Sequence, residues 1–219
     1  MKRALLALAC VGLATAGGPG RAAAQLPGMP VWNSPKAGTG LLVALDLGLP
    51  DSSLGKGTTI AGRAALGLSA LTLSATAGVR NPTGAGANVK EYGASAAYRL
   101  IGGSLIPISL NVQGGVVSFS DSVTNTRGTA AIGLAIDLPV PGLNVEPWVA
   151  PGLRVSHRGA SGTGSAQTNT EFGIAGGLTF GLGLFGVHAA VDYEKLPSGG
   201  HTRTLGVGVH VDIRPSLGL

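Results

Sequence analysis

The sequence predicts an all-β chain, folded as an antiparallel up-and-down transmembrane β-barrel of about ten strands, with about eight as the alternative. Three observations lead there. Apolar residues alternate with small or polar ones, links alternate between short and long, and charge keeps to one face of each strand. The first is plainest in "TLGVGVHVDI", where Leu205, Val207, Val209, Val211 and Ile213 alternate with Gly206, Gly208, His210 and Asp212. That two-residue period belongs to a β-strand with two unlike faces. In a soluble core the branched side chains would point inward, whereas in a membrane barrel they point into lipid.

The chain opens with Lys2 and Arg3 ahead of an apolar run, Ala4 to Ala16. That run is shorter than the ~20 residues of a membrane helix. Ala22-Ala23-Ala24 offers a small-residue cleavage site before Gln25. Residues 1–24 therefore read as a secretory signal peptide. Cys10, the one cysteine, lies inside it, so the mature chain forms no disulfide. Lys2, Arg3 and Arg21 leave with the signal, taking the net charge from +5 to about +2. No basic footprint for nucleic acid remains. Charged residues are only 11% of the chain, against roughly 25% in a typical soluble domain. A secreted soluble domain needs more charge than this on its surface.

Residues 25–37, "QLPGMPVWNSPKA", are Pro-rich and aperiodic and read as an irregular periplasmic lead segment. The barrel domain follows over 38–219. Strands are expected at 39–49, 58–68, 70–80, 89–100 and 105–117. The apolar phase of these carries Leu45, Ile60, Leu73, Tyr92 and Leu110 outward, with Asn111 inward beside Leu110. Further strands are expected at 128–138, 143–156, 170–181, 186–195 and 203–214, with Ile132, Val149, Ile174, Val191 and Val209 outward. Short links such as "SA", "IGGS", "PVPG" and "GLGLF" alternate with long polar ones such as "PDSSLGKG", "NPTGAGAN" and "LPSGGHT". Short turns at one end and longer loops at the other are the pattern of an outer-membrane barrel.

Charge placement decides between the two readings. Strand centres carry none on the apolar phase; Lys90, Lys195 and Arg203 share it only at the long-loop ends. The opposite phase holds Asp46, Arg63, Arg80, Glu91, Arg99, Asp137, Glu146, Arg154, Glu171, Asp192, Glu194 and Asp212, among Gly, Ala, Ser and Thr. Small residues with sparse charges suit a narrow interior, where large side chains from every strand would collide. Val209 is therefore expected to face lipid and His210 the lumen. Pro147 and Pro151 withhold two backbone donors from a closed barrel. A bulge or a locally broken pairing is expected there.

With these features the chain resembles the small outer-membrane β-barrel proteins of Gram-negative envelopes. The likeness is one of pattern and covers nearly the whole mature chain. Thr204, Gly206, Val209 and Val211 are similar to that group's C-terminal assembly signal, which implies outer-membrane lipid and the barrel-assembly machinery as partners. The ending "RPSLGL" departs from the terminal aromatic of that pattern.

Inside the barrel three constellations stand out. For a hairpin turning near residues 85–86, Arg80 is expected opposite Glu91; for the loop near 162–163, Arg154 opposite Glu171. Such pairs either brace the wall, as cross-strand pairs do, or act as an electrostatic gate. His188 and His210 are expected to face each other across one hairpin. Two imidazoles without a third ligand make a poor metal site, so they read as hydrogen-bonded lumen residues. No cofactor motif is present. A strand count near ten is also similar to that of the omptin proteases, for which Asp192, Glu194 and His201 would be candidates. Nothing in the spacing makes them converge on a substrate.

The expected function is non-enzymatic: an integral barrel of the cell outer membrane with an envelope-structural or surface-interaction role, displaying five extracellular loops. The alternative is a narrow channel for small solutes. The extracellular ligand is not specified by the sequence.

Overall fold

A computed structural model describes residues 26–31, 40–54, 56–84, 87–103, 106–120, 123–160, 164–197 and 199–213. The expected signal peptide and its cleavage site lie outside the described residues. Eleven strands follow in chain order: β1 (Gly40–Pro50), β2 (Gly57–Leu68), β3 (Leu71–Pro82), β4 (Val89–Gly103), β5 (Ile106–Ser120) and β6 (Thr124–Ile136). Then come β7 (Leu138–Val140), β8 (Leu143–Arg158), β9 (Gln167–Leu182), β10 (Phe185–Lys195) and β11 (His201–Ile213). Consecutive strands pair antiparallel, except β6 and β7, which both pair with β8. β1 pairs with β11 and β6 with β8, which closes the sheet. β6 and β7 are two pieces of one stave, parted at Asp137, so the barrel has ten staves.

The two faces separate as the alternation requires. Val209 is 53% exposed and its neighbour His210 is 7% exposed. Leu45, Ile60, Tyr92, Ile132, Phe172 and Val191 are likewise exposed on the outer face, while Asn111, Arg154 and Asp192 are buried within. An apolar surface that encircles the molecule far exceeds the few hundred Å² tolerated on a soluble monomer. It is the exterior of a transmembrane barrel, and closure removes the unpaired edges that lipid cannot satisfy.

Several staves run beyond their expected ends. β5 reaches Ser120 and β6 starts at Thr124, although "SFSDSVTNTRG" reads as loop. The alternation continues through that stretch. Val117, Asn125, Arg127 and Thr129 are all buried on the inner side, and polar composition alone does not end a strand whose faces still sort.

The prolines produce a broken pairing and no bulge. β6 and β8 hold one register from Asn125↔Arg158 to Ala135↔Trp148, but the pairs that would involve Pro151 and Pro147 are missing. Next to the first gap, Gly133 donates its N–H to the Asn111 side-chain oxygen at 3.0 Å. A donor near the interrupted ladder is thus satisfied from the neighbouring stave. Among the described residues the register shifts twice in β4–β5, between Arg99 and Ile101 and between Ile101 and Gly103. There Gly102 adopts φ +114°, and a Cβ would lie 2.5 Å from Ser109 Oγ.

The face assignment predicts the effect of a cation on the outer wall. Leu45→Arg should lower barrel stability by about 2–4 kcal/mol if it lies near the bilayer midplane, measured by urea unfolding in vesicles. A label on Leu45→Cys should be quenched by lipid-chain quenchers and not by water-soluble ones. Protection from both would place Leu45 in a protein core.

Candidate functional site: the barrel lumen

The number and tilt of the staves make the lumen narrow, much of its wall is Ala, Gly, Ser and Thr, and what fills it was not foreseen from the alternation. Leu26–Val31, read above as part of a periplasmic lead segment, is instead seated inside the barrel. Leu26, Met29 and Val31 are each at most 4% exposed. Leu26 and Met29 pack with Ala61 and Val117, and Phe119 leans against them. Val31 packs with Ala131, Ala135, Trp148, Ala150, Ala175 and Ala190. Hydrogen bonds from the wall hold the backbone: Thr59 Oγ1 donates to Pro27 O at 3.2 Å, and Val31 N–H donates to Asp192 Oδ2 at 3.3 Å. The physical reason is the small wall. It leaves apolar volume that three side chains can fill, each burial contributing roughly 1.5–3 kcal/mol. The remaining lead residues, 25 and 32–37, lie outside the described residues.

Around this segment the charges pair. Arg80 Nε donates to Glu91 Oε1 at 2.8 Å, and the Glu91 side chain is fully buried. The pair is the expected one, but the register is not. Gly78 lies opposite Glu91 and Arg80 opposite Val89, two residues from the expected match. The hairpin turns earlier than 85–86, and the long arginine reaches diagonally across the ladder. Arg154 does lie opposite Glu171 as expected. Its guanidinium nevertheless passes over Gly173, where a Cβ would be 3.1 Å away, and meets Asp192 Oδ1 at 3.2 Å on β10. Arg127 joins Glu194, from β6 to β10 with two staves between them. Arg127 was missed because its strand was expected to begin at 128; its two-residue phase with Thr129 and Ala131 was the available signal.

Nearer the short-turn end lies a second cluster. His188 and His210 are not register partners, since His188 lies opposite Gly208 and His210 opposite Gly186. Their rings still stack, with centroids 5.2 Å apart, and their Nδ1 atoms are 3.0 Å apart. Glycine makes this possible: a Cβ on Gly186 would be 2.2 Å from His210 Nε2, and one on Gly208 2.3 Å from His188 Nε2. His188 Nε2 contacts Asp46 Oδ1 at 2.6 Å, and Arg63 Nε donates to Asp46 Oδ2 at 3.0 Å. A 3.0 Å contact between two Nδ1 atoms needs a proton on one and a lone pair on the other. The arrangement is a hydrogen-bonded relay of Arg63, Asp46, His188 and His210 along adjacent staves. Among the described residues, no group of three or more His, Cys, Asp or Glu is placed to hold a metal. Asp192 and Glu194 point inward, whereas His201 is exposed outside and stacks on Tyr193 at 4.9 Å. That histidine and the two carboxylates therefore lie on opposite faces of the wall.

Two cavities flank the seated segment. One, of about 560 Å³, opens at the short-turn end and is lined by Val31, Arg63, Gln113, Trp148, His188 and His210 among others. The other, of about 340 Å³, lies at the long-loop end, lined by Pro27, Arg80, Phe119, Arg127 and Arg158 among others. At that mouth Asp51 accepts from Thr202 Oγ1 at 2.9 Å, Ser53 N–H at 3.0 Å and Arg203 N–H at 2.7 Å. Slight burial pushes its carboxyl upward, but these hydrogen bonds outweigh it and bring the pKa down to about 2.

The inner charges and the rim give separate predictions. Arg80→Met should cost about 3–5 kcal/mol, because it strands a buried carboxylate; adding Glu91→Gln should recover most of that in a double-mutant cycle. A cost below about 1 kcal/mol would mean the pair is solvated. At the rim, a depressed carboxyl contributes stability above its unfolded pKa of about 4, and that contribution is lost as pH falls toward 2. The difference in stability between the native chain and Asp51→Asn should therefore shrink over that window in acid unfolding curves.

No protein-family model and no curated relative matches the chain. Among solved structures, the β domain of the Bordetella autotransporter BrkA superposes with a TM-score of 0.50 at 12% identity, covering 78% of this chain and 98% of its own. Neisserial surface protein A covers 80% of this chain and 98% of its own at 14% identity, TM-score 0.41. The N-terminal barrel domain of Pseudomonas aeruginosa OprF covers 77% and 96% at 18% identity, TM-score 0.38. At these identities the likeness is one of fold, carried by the BrkA superposition. In fold, the chain resembles the outer-membrane β-barrel proteins of Gram-negative bacteria.

Proposed function

We propose that the protein is a non-enzymatic outer-membrane barrel with an envelope-structural or surface-interaction role. Its long-loop end faces outward and displays five loops; outer-membrane lipid and the barrel-assembly machinery are its partners. The observation that carries this reading is the occupied lumen. Leu26–Val31 stands between the two cavities, Pro27 lining one and Val31 the other, which favours a closed scaffold at rest over a standing channel for solutes. A non-enzymatic role is supported by the acids Asp192 and Glu194 being matched to arginines, on the other face of the wall from His201.

Two glycines with positive φ and open space at the Cβ position mark the two ends: Gly84 in a long link and Gly142 in a short turn. The protein should stay with the outer membrane through carbonate washing. An epitope inserted at Gly84 should be recognised on intact cells, and one at Gly142 only after the outer membrane is breached. Recovery in the soluble periplasm, or the reverse pattern of recognition, would overturn the proposal.

A further inference from the structure

The lead segment does more than occupy space; it separates two chambers and touches both. Pro27 lines the cavity at the long-loop end and Val31 the one at the short-turn end. The segment is not a strand of the sheet, and the ladder closes without it. The contacts that hold it include hydrogen bonds at Pro27 O and Val31 N–H and the packing of Leu26, Met29 and Val31. Its seat is also shaped for it. A Cβ on Gly48 would lie 2.0 Å from the Gly28 carbonyl oxygen and 2.8 Å from Met29 Sδ. Gly28 itself has φ +78°, a conformation that glycine adopts without strain. Gly48 lies opposite Gly206 and Thr59 on the adjoining staves. The three atoms nearest to its Cβ position all belong to the seated segment.

We propose that Leu26–Val31 is a removable stopper in a latent pore: seated, it closes the lumen, and withdrawn, it lets the two chambers join into a passage for small hydrated ions. This goes beyond the structural role proposed above and adds a second activity to the same barrel. The wall it would uncover carries Arg63 with Asp46, Arg80 with Glu91, Arg127 with Glu194 and Arg154 with Asp192. Cations and carboxylates are matched, so the passage discriminates weakly between potassium and chloride. Asp192 has two tasks. One oxygen holds Arg154 and the other accepts from Val31 N–H, so the carboxylate that braces the wall also retains the stopper.

The test is planar-bilayer recording in potassium chloride. The full mature chain should be silent. Gly48→Ala, which adds one methyl group on the wall and alters no residue of the segment, should give steady ohmic openings. So should a chain lacking Leu26–Val31, with a reversal potential near zero in a salt gradient. Gly62→Ala, where the added methyl meets nothing within 4 Å, should stay silent. All variants are checked for folding by the band shift between boiled and unboiled samples. A third measurement needs no pore: Met29→Cys in the otherwise native mature chain should react with a water-soluble thiol reagent only after denaturation. Steady openings from the full chain, silence from folded barrels lacking the segment, or fast labelling at position 29 would each overturn the stopper. Silence of the folded variants would leave the envelope-structural reading intact, whereas failure of membrane residence would remove both.

Discussion

Closure of the sheet is the constraint on which the rest of this molecule depends. Because β1 joins β11 and β6 joins β8, backbone donors and acceptors are used within the wall, and the interior volume is set by the number and tilt of the staves. Every inward position then competes for that volume. A wall of Ala, Gly, Ser and Thr leaves room for few long side chains, and several of those present cross a neighbour that has no Cβ. Arg154 lies over Gly173, His210 over Gly186 and His188 over Gly208. The glycine content, 38 of 219 residues, is thus partly a record of where larger groups must pass.

The same constraint explains why the charge partners are diagonal. In a confined, poorly hydrated interior, an isolated charge is far more costly than a bent side chain. Arg80 therefore reaches across two register positions to Glu91, and Arg154 skips the carboxylate directly opposite for Asp192 one stave further. The braces consequently tie β8 to β10 and β6 to β10, staves that share no ladder with each other. They stiffen the cross-section of the barrel, where hydrogen bonding along the ladder offers no resistance to flattening.

The lead segment belongs to the same logic. A barrel wall can afford one row of side chains per stave, and small side chains leave a space too apolar to hold ordered water comfortably. Leu26, Met29 and Val31 supply the missing volume from outside the sheet. The chain thereby acquires two small inner clusters, one around Leu26 and Met29 and one that joins Val31 to Trp148, inside a protein whose larger apolar surface faces outward.

The sequence by itself narrowed the stave count to about ten or eight and determined the lipid and lumen faces and the inward position of the charges, because a two-residue period and alternating links are local properties. Leu45, Val209, His210 and Asn111 could each be assigned without a structure. The break at Pro147 and Pro151 was legible too, since a missing donor is a property of the residue. What only the tertiary structure decided was which inward groups meet. Registers in the β3–β4 and β10–β11 hairpins lie two residues from the sequence expectation, because turn geometry sets them and a shift of two keeps every side chain on its face. Periodicity is blind to such a slip. It is equally blind to Leu26–Val31, which has no period, and whose burial follows from the volume left inside a closed wall.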